Sequence, residues 1–215
     1  MKNILIHCAM EKEGEKIAQA LKLNKKEEIK KVENCKINNF TTTYVGQAKN
    51  TNITLLITGI GKQKTAIGLT KYLCENVKPD LIINIGYAGS TFAKIGSWVS
   101  INKSYNLEWD ITGEEKYTMK DLGGQDLVTI DELEKLPCYS AECFVNSSSF
   151  KENVIFDMEL HSVSLLADLY NIPLVSLKKV SDNLSLDDYY KTVENNELME
   201  LESSVKYIEQ FTNER

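Results

Sequence analysis

The chain has 215 residues, of which 42% are hydrophobic and 26% are charged, a length and balance that allow a sizeable buried core and predict a single domain over residues 1–215. Its formal net charge of −6 comes without any run of lysines or arginines beyond short pairs, which argues against a nucleic-acid surface and indicates a small-molecule partner. No stretch approaches the roughly 20 apolar residues that cross a bilayer, and the N-terminus turns acidic where a secretory signal would end in small residues, so we expect a cytoplasmic protein that does not bind membranes.

The cysteines give no sign of a metal centre. They are Cys8, Cys35, Cys74, Cys138 and Cys143. Their number is odd, no two form a CxxC pair, and only two histidines are available as further ligands. We therefore predict free thiols, no metal site and no cofactor.

The first part of the chain repeats the plan of a strand followed by a helix. Residues 3–10 and 55–57 are apolar and predict strands, and each is followed by a segment with helical periodicity. The apolar residues at helical spacing are Ile17, Ala18 and Leu21 in the first helix and Ala66, Leu69 and Leu73 in the second. Between the second strand and its helix, two glycines predict a tight turn.

Two further apolar strands are predicted within residues 78–90 and 172–183, the latter after a helix that begins near Asp157. Strands too apolar to have a solvated face, alternating with helices, imply a largely parallel or mixed sheet covered on both sides. The predicted fold class is therefore α/β, with a central twisted mixed β-sheet flanked by helices.

Three polar segments complete the chain. Residues 27–47 are rich in β-branched residues and predict a hairpin. Residues 113–138 are polar and loop-like, with one short helix predicted over 129–135, and residues 186–211 predict a closing amphipathic helix.

Candidate functional residues follow from the predicted strand ends, because ligands of open α/β sheets bind beyond the carboxyl ends of the strands. Those ends carry Glu11, Glu13, the turn 59–61, the glycine loop 86–89 and Asp182. Each has a structural explanation as well: carboxylates favour the first turn of a helix, glycines make sharp turns, and an aspartate caps a helix. The first glycine turn is neither a complete dinucleotide fingerprint nor a P-loop, so alone it is a weak signal.

Asp157 and Glu159 stand on either side of Met158, where the third helix is predicted to begin. Two interpretations are open: these carboxylates mark an ordinary helix start, or they belong to a pocket that holds a sugar. A hydrolase triad is not supported, since no serine sits on a nucleophile elbow and His7 has no evident acid partner. His161 is expected to be packed or exposed rather than catalytic.

Six segments stand in a fixed order along most of the chain: ILIHCAMEKE, TGIGKQKTAIGL, KPDLIINIGYAGS, WDIT, SAECFV and IFDMELHSVSLLADLYNIPLVSLKKVSD. In this order and at roughly this spacing they resemble the nucleoside phosphorylase superfamily, and within it the branch of 5'-methylthioadenosine/S-adenosylhomocysteine nucleosidases. The resemblance implies a purine nucleoside as ligand and a homodimer as the assembly.

On the sugar side, the resemblance implies that Glu13 activates the water that attacks the ribose anomeric carbon. It places Met158 under the ribose, and Glu159 accepts hydrogen bonds from the ribose hydroxyls. Cleavage of an N-glycosidic bond builds positive charge on the sugar, which nearby carboxylates stabilise.

On the base side, the resemblance implies that Asp182 protonates purine N7, that Phe144 stacks on the base and that the main chain of Val145 binds its edge. An acid that donates near neutral pH needs a raised pKa, which a desolvated pocket provides. The remaining residues expected to contact the substrate are Ala9, Ile60, Gly86, Tyr87, Ser181 and Lys178.

Hydrolysis is favoured over phosphorolysis. Phosphate-using branches place arginines around the anion, whereas here Asn84 stands in the corresponding strand position and Arg215 is the single arginine of the chain. Lys62 or Lys178 would hold phosphate less well, as point charges. The alternatives are a futalosine or aminofutalosine hydrolase, a purine nucleoside phosphorylase with a lysine-built anion site, and a non-catalytic nucleoside-binding relative.

The sequence also departs from the family. Tyr87 replaces a serine, Lys178 replaces an arginine, and Asp157 replaces a glutamate. The segment 113–138 is shorter than usual in a region that helps to form the 5' end of the pocket and the dimer surface. These differences bear on the identity of the 5' substituent.

Overall fold

The computed structural model describes residues 1–26, 41–119, 126–194 and 200–212. The strands are β1 (Lys2–Cys8), β2 (Asn24–Lys25), β3 (Thr42–Ala48), β4 (Thr51–Ile57), β5 (Leu81–Ser90), β6 (Trp98–Asn106), β7 (Glu134–Ser140), β8 (Ile155–Asp157) and β9 (Leu174–Asp182). The helices are α1 (Glu11–Ala20), α2 (Lys62–Glu75), α3 (Leu160–Leu169), α4 (Leu186–Tyr189) and α5 (Val205–Thr212).

In the described ranges, the nine strands belong to one mixed sheet in the order β2-β3-β4-β1-β5-β8-β7-β6-β9. The central strands β4, β1, β5 and β9 run parallel, whereas β3 pairs antiparallel with β4 and β8 antiparallel with β5. Because β5 also pairs with β9, the strands β5, β8, β7, β6 and β9 close into a ring. The predicted α/β class with a mixed sheet is confirmed.

Helices cover both sides of this sheet. One core cluster joins Leu69 of α2 and Val163 of α3 to the strands, and the other joins Ile17 of α1 and Ile208 of α5. Every residue of β9 is buried, including the polar Lys178, Ser181 and Asp182, so these groups need partners within the protein. Within the described ranges, no helix is long and apolar enough to cross a bilayer.

The predicted helix over 129–135 is wrong. The backbone turns at 131–133, and β7 begins at Glu134 and pairs parallel with β6. In β7 Leu136, Cys138 and Ser140 are buried in alternation, so the period is that of a strand. The strand β6, within the region between the recognised motifs, was not predicted.

The single closing helix over 186–211 is also wrong. After α4 the chain forms a π-helical turn at Tyr190–Glu194, and a 3-10 turn at Leu201–Ser204 precedes α5. Residues 195–199 lie outside the described part of the chain, as do residues 27–40 of the predicted hairpin. The rest of that hairpin region contains β3, which pairs with β4.

Candidate active site

The carboxyl ends of β1, β5 and β9 open into a cavity of about 630 Å³, counting its mouth. Its lining includes Ala9, Met10, Glu13, Ile60, Tyr87, Gly89, Phe144, Val145, Phe156, Asp157, Met158, Glu159, Ser181, Asp182 and Tyr189. Of the site residues predicted from the sequence, Gly86 and Lys178 are not on this lining. Segments far apart in the chain therefore meet where the strand-end rule places a ligand site.

Glu13 lies in the first turn of α1 and is buried. Its Oε2 accepts a hydrogen bond from the Met10 N–H at 2.9 Å, and its Oε1 accepts one from the Tyr87 N–H at 3.0 Å. Burial raises the pKa of Glu13, and these backbone donors oppose the rise. A Cβ on Gly86 would lie 3.1 Å from Glu13 Oε1, so the glycine leaves room for the carboxylate. Glu11, in contrast, is exposed.

Glu159 lies between β8 and α3, and its Oε1 accepts the Gly61 N–H at 2.8 Å. Gly61 has φ +105°, a left-handed conformation that favours glycine. Burial, reinforced by the negative charge of Asp157, raises the pKa of Glu159 to about 8. The glycine turn at 59–61, which is only a weak signal in the sequence, thus donates a backbone hydrogen bond to a carboxyl group that lines the cavity.

Asp157 has opposite surroundings. Its Oδ2 lies 2.7 Å from Lys178 Nζ and 2.9 Å from the Leu160 N–H, and its Oδ1 accepts the Ser140 hydroxyl at 2.5 Å. Burial alone would raise the pKa of Asp157, but the ion pair with Lys178 holds it below its usual range. Lys178 is 1% exposed and lies behind the cavity, so this structure assigns its ammonium to Asp157 rather than to the cavity surface.

Asp182 ends β9, and its pKa is raised by burial. Its Oδ2 accepts the Ser181 hydroxyl at 2.7 Å and its Oδ1 the Leu184 N–H at 3.0 Å. A Cβ on Gly89 of the neighbouring strand would lie 2.9 Å from Oδ1, which explains the second glycine of the β5 loop. The carboxyl group is therefore held by one side-chain and one backbone hydrogen bond, and it packs close against Gly89.

Aromatic side chains surround the remaining part of the cavity. The rings of Phe144 and Tyr189 meet edge to face with centroids 5.9 Å apart, and the Tyr189 hydroxyl lies 3.9 Å from Met10 Sδ. Sequence reasoning did not select Tyr189 or Phe156. The sequence signal that could have identified Tyr189 was the aromatic pair Tyr189–Tyr190, which begins seven residues after the predicted strand end at Asp182.

Neither histidine lines the cavity. His7 is hydrogen-bonded to Thr58 Oγ1 at 2.8 Å and to Asn84 Nδ2 at 3.0 Å, and burial lowers its pKa to about 3. His161 lies with Nε2 3.2 Å from Met119 Sδ, and burial lowers its pKa to about 4. Both imidazoles are therefore neutral at physiological pH and buried. For His161, which was predicted to be packed or exposed, the structure shows the packed alternative.

A family model described as the phosphorylase superfamily matches residues 3–136. This match spans more than half of the chain, so the protein belongs to the phosphorylase superfamily. The membership implied by the motifs of the sequence is confirmed.

Solved structures of similar fold cover nearly all of the chain. An MTA/SAH nucleosidase has a TM-score of 0.84 at 16% identity over 100% of this chain and 97% of that one. The apo 5'-methylthioadenosine nucleosidase of Arabidopsis thaliana has a TM-score of 0.80 at 18% identity, with coverages of 100% and 97%. A futalosine hydrolase mutant of Helicobacter pylori strain 26695 has a TM-score of 0.77 at 17% identity, with coverages of 97% and 97%. At these identities the likeness concerns the fold.

Proposed function

We propose that the protein is a purine nucleoside N-ribosyl hydrolase that acts on a 5'-modified adenosine of the methylthioadenosine or adenosylhomocysteine type. The observation that carries this proposal is the placement of three carboxyl groups, Glu13, Glu159 and Asp182, on one cavity next to an aromatic side chain. Family membership and the nucleosidases of similar fold support the same reaction class.

Glu13 is the proposed base that activates water. Its two backbone hydrogen bonds fix the carboxylate at the edge of the cavity, and its raised pKa strengthens it as a proton acceptor. Water positioned by such a carboxylate attacks the anomeric carbon as the glycosidic bond breaks and positive charge grows on the ribose.

Glu159 is the proposed ligand of the ribose hydroxyls, with Met158 as the apolar floor beneath the sugar. With a pKa of about 8 the carboxyl is largely protonated at neutral pH when the cavity is empty. It then offers both a donor and an acceptor to neighbouring hydroxyls. The Gly61 N–H fixes one of its oxygens, so the carboxyl is oriented before substrate binds.

Asp182 is the proposed general acid. Burial raises its pKa and so keeps the proton on the carboxyl at higher pH. Proton transfer to purine N7 lets the base leave as a neutral molecule. Phe144 is the proposed stacking partner of the base, and the main chain of Val145 the proposed contact to its edge.

Hydrolysis remains the favoured reaction because the candidate lysines are engaged elsewhere. Lys178 Nζ is bonded to Asp157, and Lys62 Nζ lies 2.5 Å from Glu108 Oε2 and 2.7 Å from Asn106 Oδ1. Neither lysine is on the cavity lining. A futalosine-type substrate is the second candidate, supported by the H. pylori structure of similar fold.

The test is base release from a panel of methylthioadenosine, adenosylhomocysteine, adenosine, inosine and aminofutalosine, each with and without phosphate. We expect adenine from the first two without phosphate, and an Asp182→Asn variant as an inactive control. Phosphate-dependent release would contradict the hydrolase. Binding without release from any substrate would favour the non-catalytic relative. Light scattering on the same samples tests the homodimer that the family resemblance implies.

A further inference from the structure

Lys62 is a buried cation that lies outside the cavity, at the first position of α2. Its Nζ lies 2.7 Å from Asn106 Oδ1, 2.5 Å from Glu108 Oε2 and 3.4 Å from the Ser140 carbonyl. These three partners come from the carboxyl ends of β6 and β7 and the segment after β6. A single ammonium therefore bridges the start of α2 and the far edge of the closed ring of strands.

The backbone beside this ammonium is tied to the proposed ribose ligand. The Gly61 N–H donates to Glu159 Oε1 at 2.8 Å. The Lys62 carbonyl accepts the Ser162 hydroxyl of α3 at 2.9 Å. Any movement of Lys62 would thus be transmitted to the turn that orients Glu159.

The carboxylate partner is tied to the loop on the opposite wall. Glu108 Oε1 accepts the Glu142 N–H at 2.7 Å, while its Oε2 faces Lys62. Glu142 Oε1 is itself 3.5 Å from Lys62 Nζ. The next residues of this loop, including Phe144 and Val145, line the cavity.

We propose that Lys62 and Glu108 form a positioning pair, which holds the Phe144–Val145 loop at a fixed distance from Glu159. This inference rests on the proposed function, which assigns the loop to the base and Glu159 to the ribose. The pair joins both walls through charge-assisted hydrogen bonds, which are stronger and more directional than neutral ones. Neither side chain lines the cavity, so both act through other residues.

The test uses Lys62→Met, Glu108→Gln and the double variant, with Lys71→Met on α2 and Glu115→Gln after β6 as controls. We expect each single variant to raise KM for the nucleoside and Kd for free adenine about tenfold. The kcat should stay within about threefold, because separate backbone contacts hold Glu13 and Asp182. In the double variant, KM and the Kd for adenine should exceed those of the more affected single variant by less than about twofold, because the two residues act as one unit.

Thermal unfolding and adenine titration of the same samples separate positioning from a general loss of structure. A lowered midpoint with unchanged KM and adenine Kd in Glu108→Gln would overturn the positioning pair, as would additive effects in the double variant. Glu108→Gln is the safer variant because its side chain is 43% exposed. A wild-type protein that neither releases base nor binds adenine would instead contradict the proposed function, and the pair with it.

Discussion

Asp157 and Glu159 are two residues apart, yet their carboxyl groups have opposite electrostatic surroundings. Asp157 is paired with Lys178 and stays ionised, whereas Glu159 has one backbone donor and the charge of Asp157 nearby. A charge compensated by a partner lowers a carboxyl pKa, and an uncompensated burial raises it. The two residues therefore have different chemistry for reasons that their spacing in the sequence does not reveal.

Removal of the proposed base should abolish turnover without unfolding the protein. Glu13→Gln keeps the size of the side chain but loses the proton acceptor, so we expect base release to fall by about 100-fold or more. Glu15→Gln, an exposed change on the same helix, should retain full activity. Rates of base release and circular dichroism are the measurements. Full activity of Glu13→Gln would remove this residue from the mechanism.

The raised pKa of Glu159 predicts a pH dependence of stability. The folded pKa of about 8 lies above the ordinary 4.5, so the folded state binds this proton more tightly than the unfolded chain. The stabilising contribution is complete below the unfolded pKa and is lost as the pH rises through the folded one. Urea unfolding between about pH 5 and pH 9 should show the wild type losing stability relative to Glu159→Gln. Parallel profiles would contradict this assignment.

Breaking the buried ion pair between Lys178 and Asp157 should lower the stability of the protein strongly, and a second substitution at Asp157 should restore part of it. Lys178→Met leaves Asp157 charged and buried without its cation, and we expect the free energy of unfolding to fall by about 3–5 kcal/mol. Adding Asp157→Asn removes the orphaned charge and should recover part of the loss. Denaturant unfolding of the single and double variants measures both effects. A double variant less stable than Lys178→Met alone would show that the pair is not the cause.

At the scale of elements, the site depends on a glycine in β5, which lets the carboxyl group of Asp182 on the neighbouring strand β9 lie close to the β5 backbone. Gly89 of β5 lies beside Asp182 at the end of β9, and a Cβ there would come within 2.9 Å of the carboxylate. The register of β5 on β9 shifts at this point, between Ala88 and Gly89. The glycine loop therefore shapes the position of the proposed acid.

Gly89→Ala should displace Asp182 and lower kcat by about 10- to 100-fold, while the strands remain paired. The matched control is Gly46→Ala on β3, where a new Cβ would meet Leu23 Cδ2 at 2.7 Å. That substitution is remote from the cavity and should affect stability rather than kcat. Kinetics with thermal unfolding distinguish them, and equal kcat values in the two variants would refute the proposed role of Gly89.

The whole molecule is built around a sheet that joins early and late parts of the chain. Residues after 136 supply β8 and β9, which pair with β5 and β6 from the matched family region. The last third of the chain cannot bury its strands without the first two thirds. This arrangement favours unfolding as one unit, in keeping with the predicted single domain.

Denaturant unfolding should therefore give the same midpoint by tryptophan fluorescence and by far-UV circular dichroism. Trp98 packs against Tyr207 of α5, with ring centroids 6.2 Å apart, and so reports on contact between β6 and the C-terminal helix. Coincident transitions are the mark of cooperative unfolding. Two separated transitions would contradict a single cooperative domain.

The sequence by itself determined the class of fold, the covered sheet and most of the residues predicted on the cavity, although it missed Phe156 and Tyr189 and included Gly86 and Lys178, which do not line it. It did so because buried strands leave apolar runs and because strand ends share one edge of a sheet, which brings Glu13 and Asp182 together. The family resemblance of the motifs, rather than the strand-end rule, added Glu159. It failed over 129–135 and 186–211, where a short periodic pattern suits a strand or an interrupted helix as well as a regular one.

Only the tertiary structure decided which polar groups face the cavity and which face each other. Judged from the sequence, Lys178 and Lys62 could each bind an anionic ligand. In the structure each is paired with a carboxylate from a distant segment, Asp157 and Glu108 respectively. Tyr189 reached the cavity through the path of the chain after β9. Partner choice depends on distances of a few ångströms between segments far apart in sequence, and the strength of a charge interaction changes steeply over such distances in a buried site.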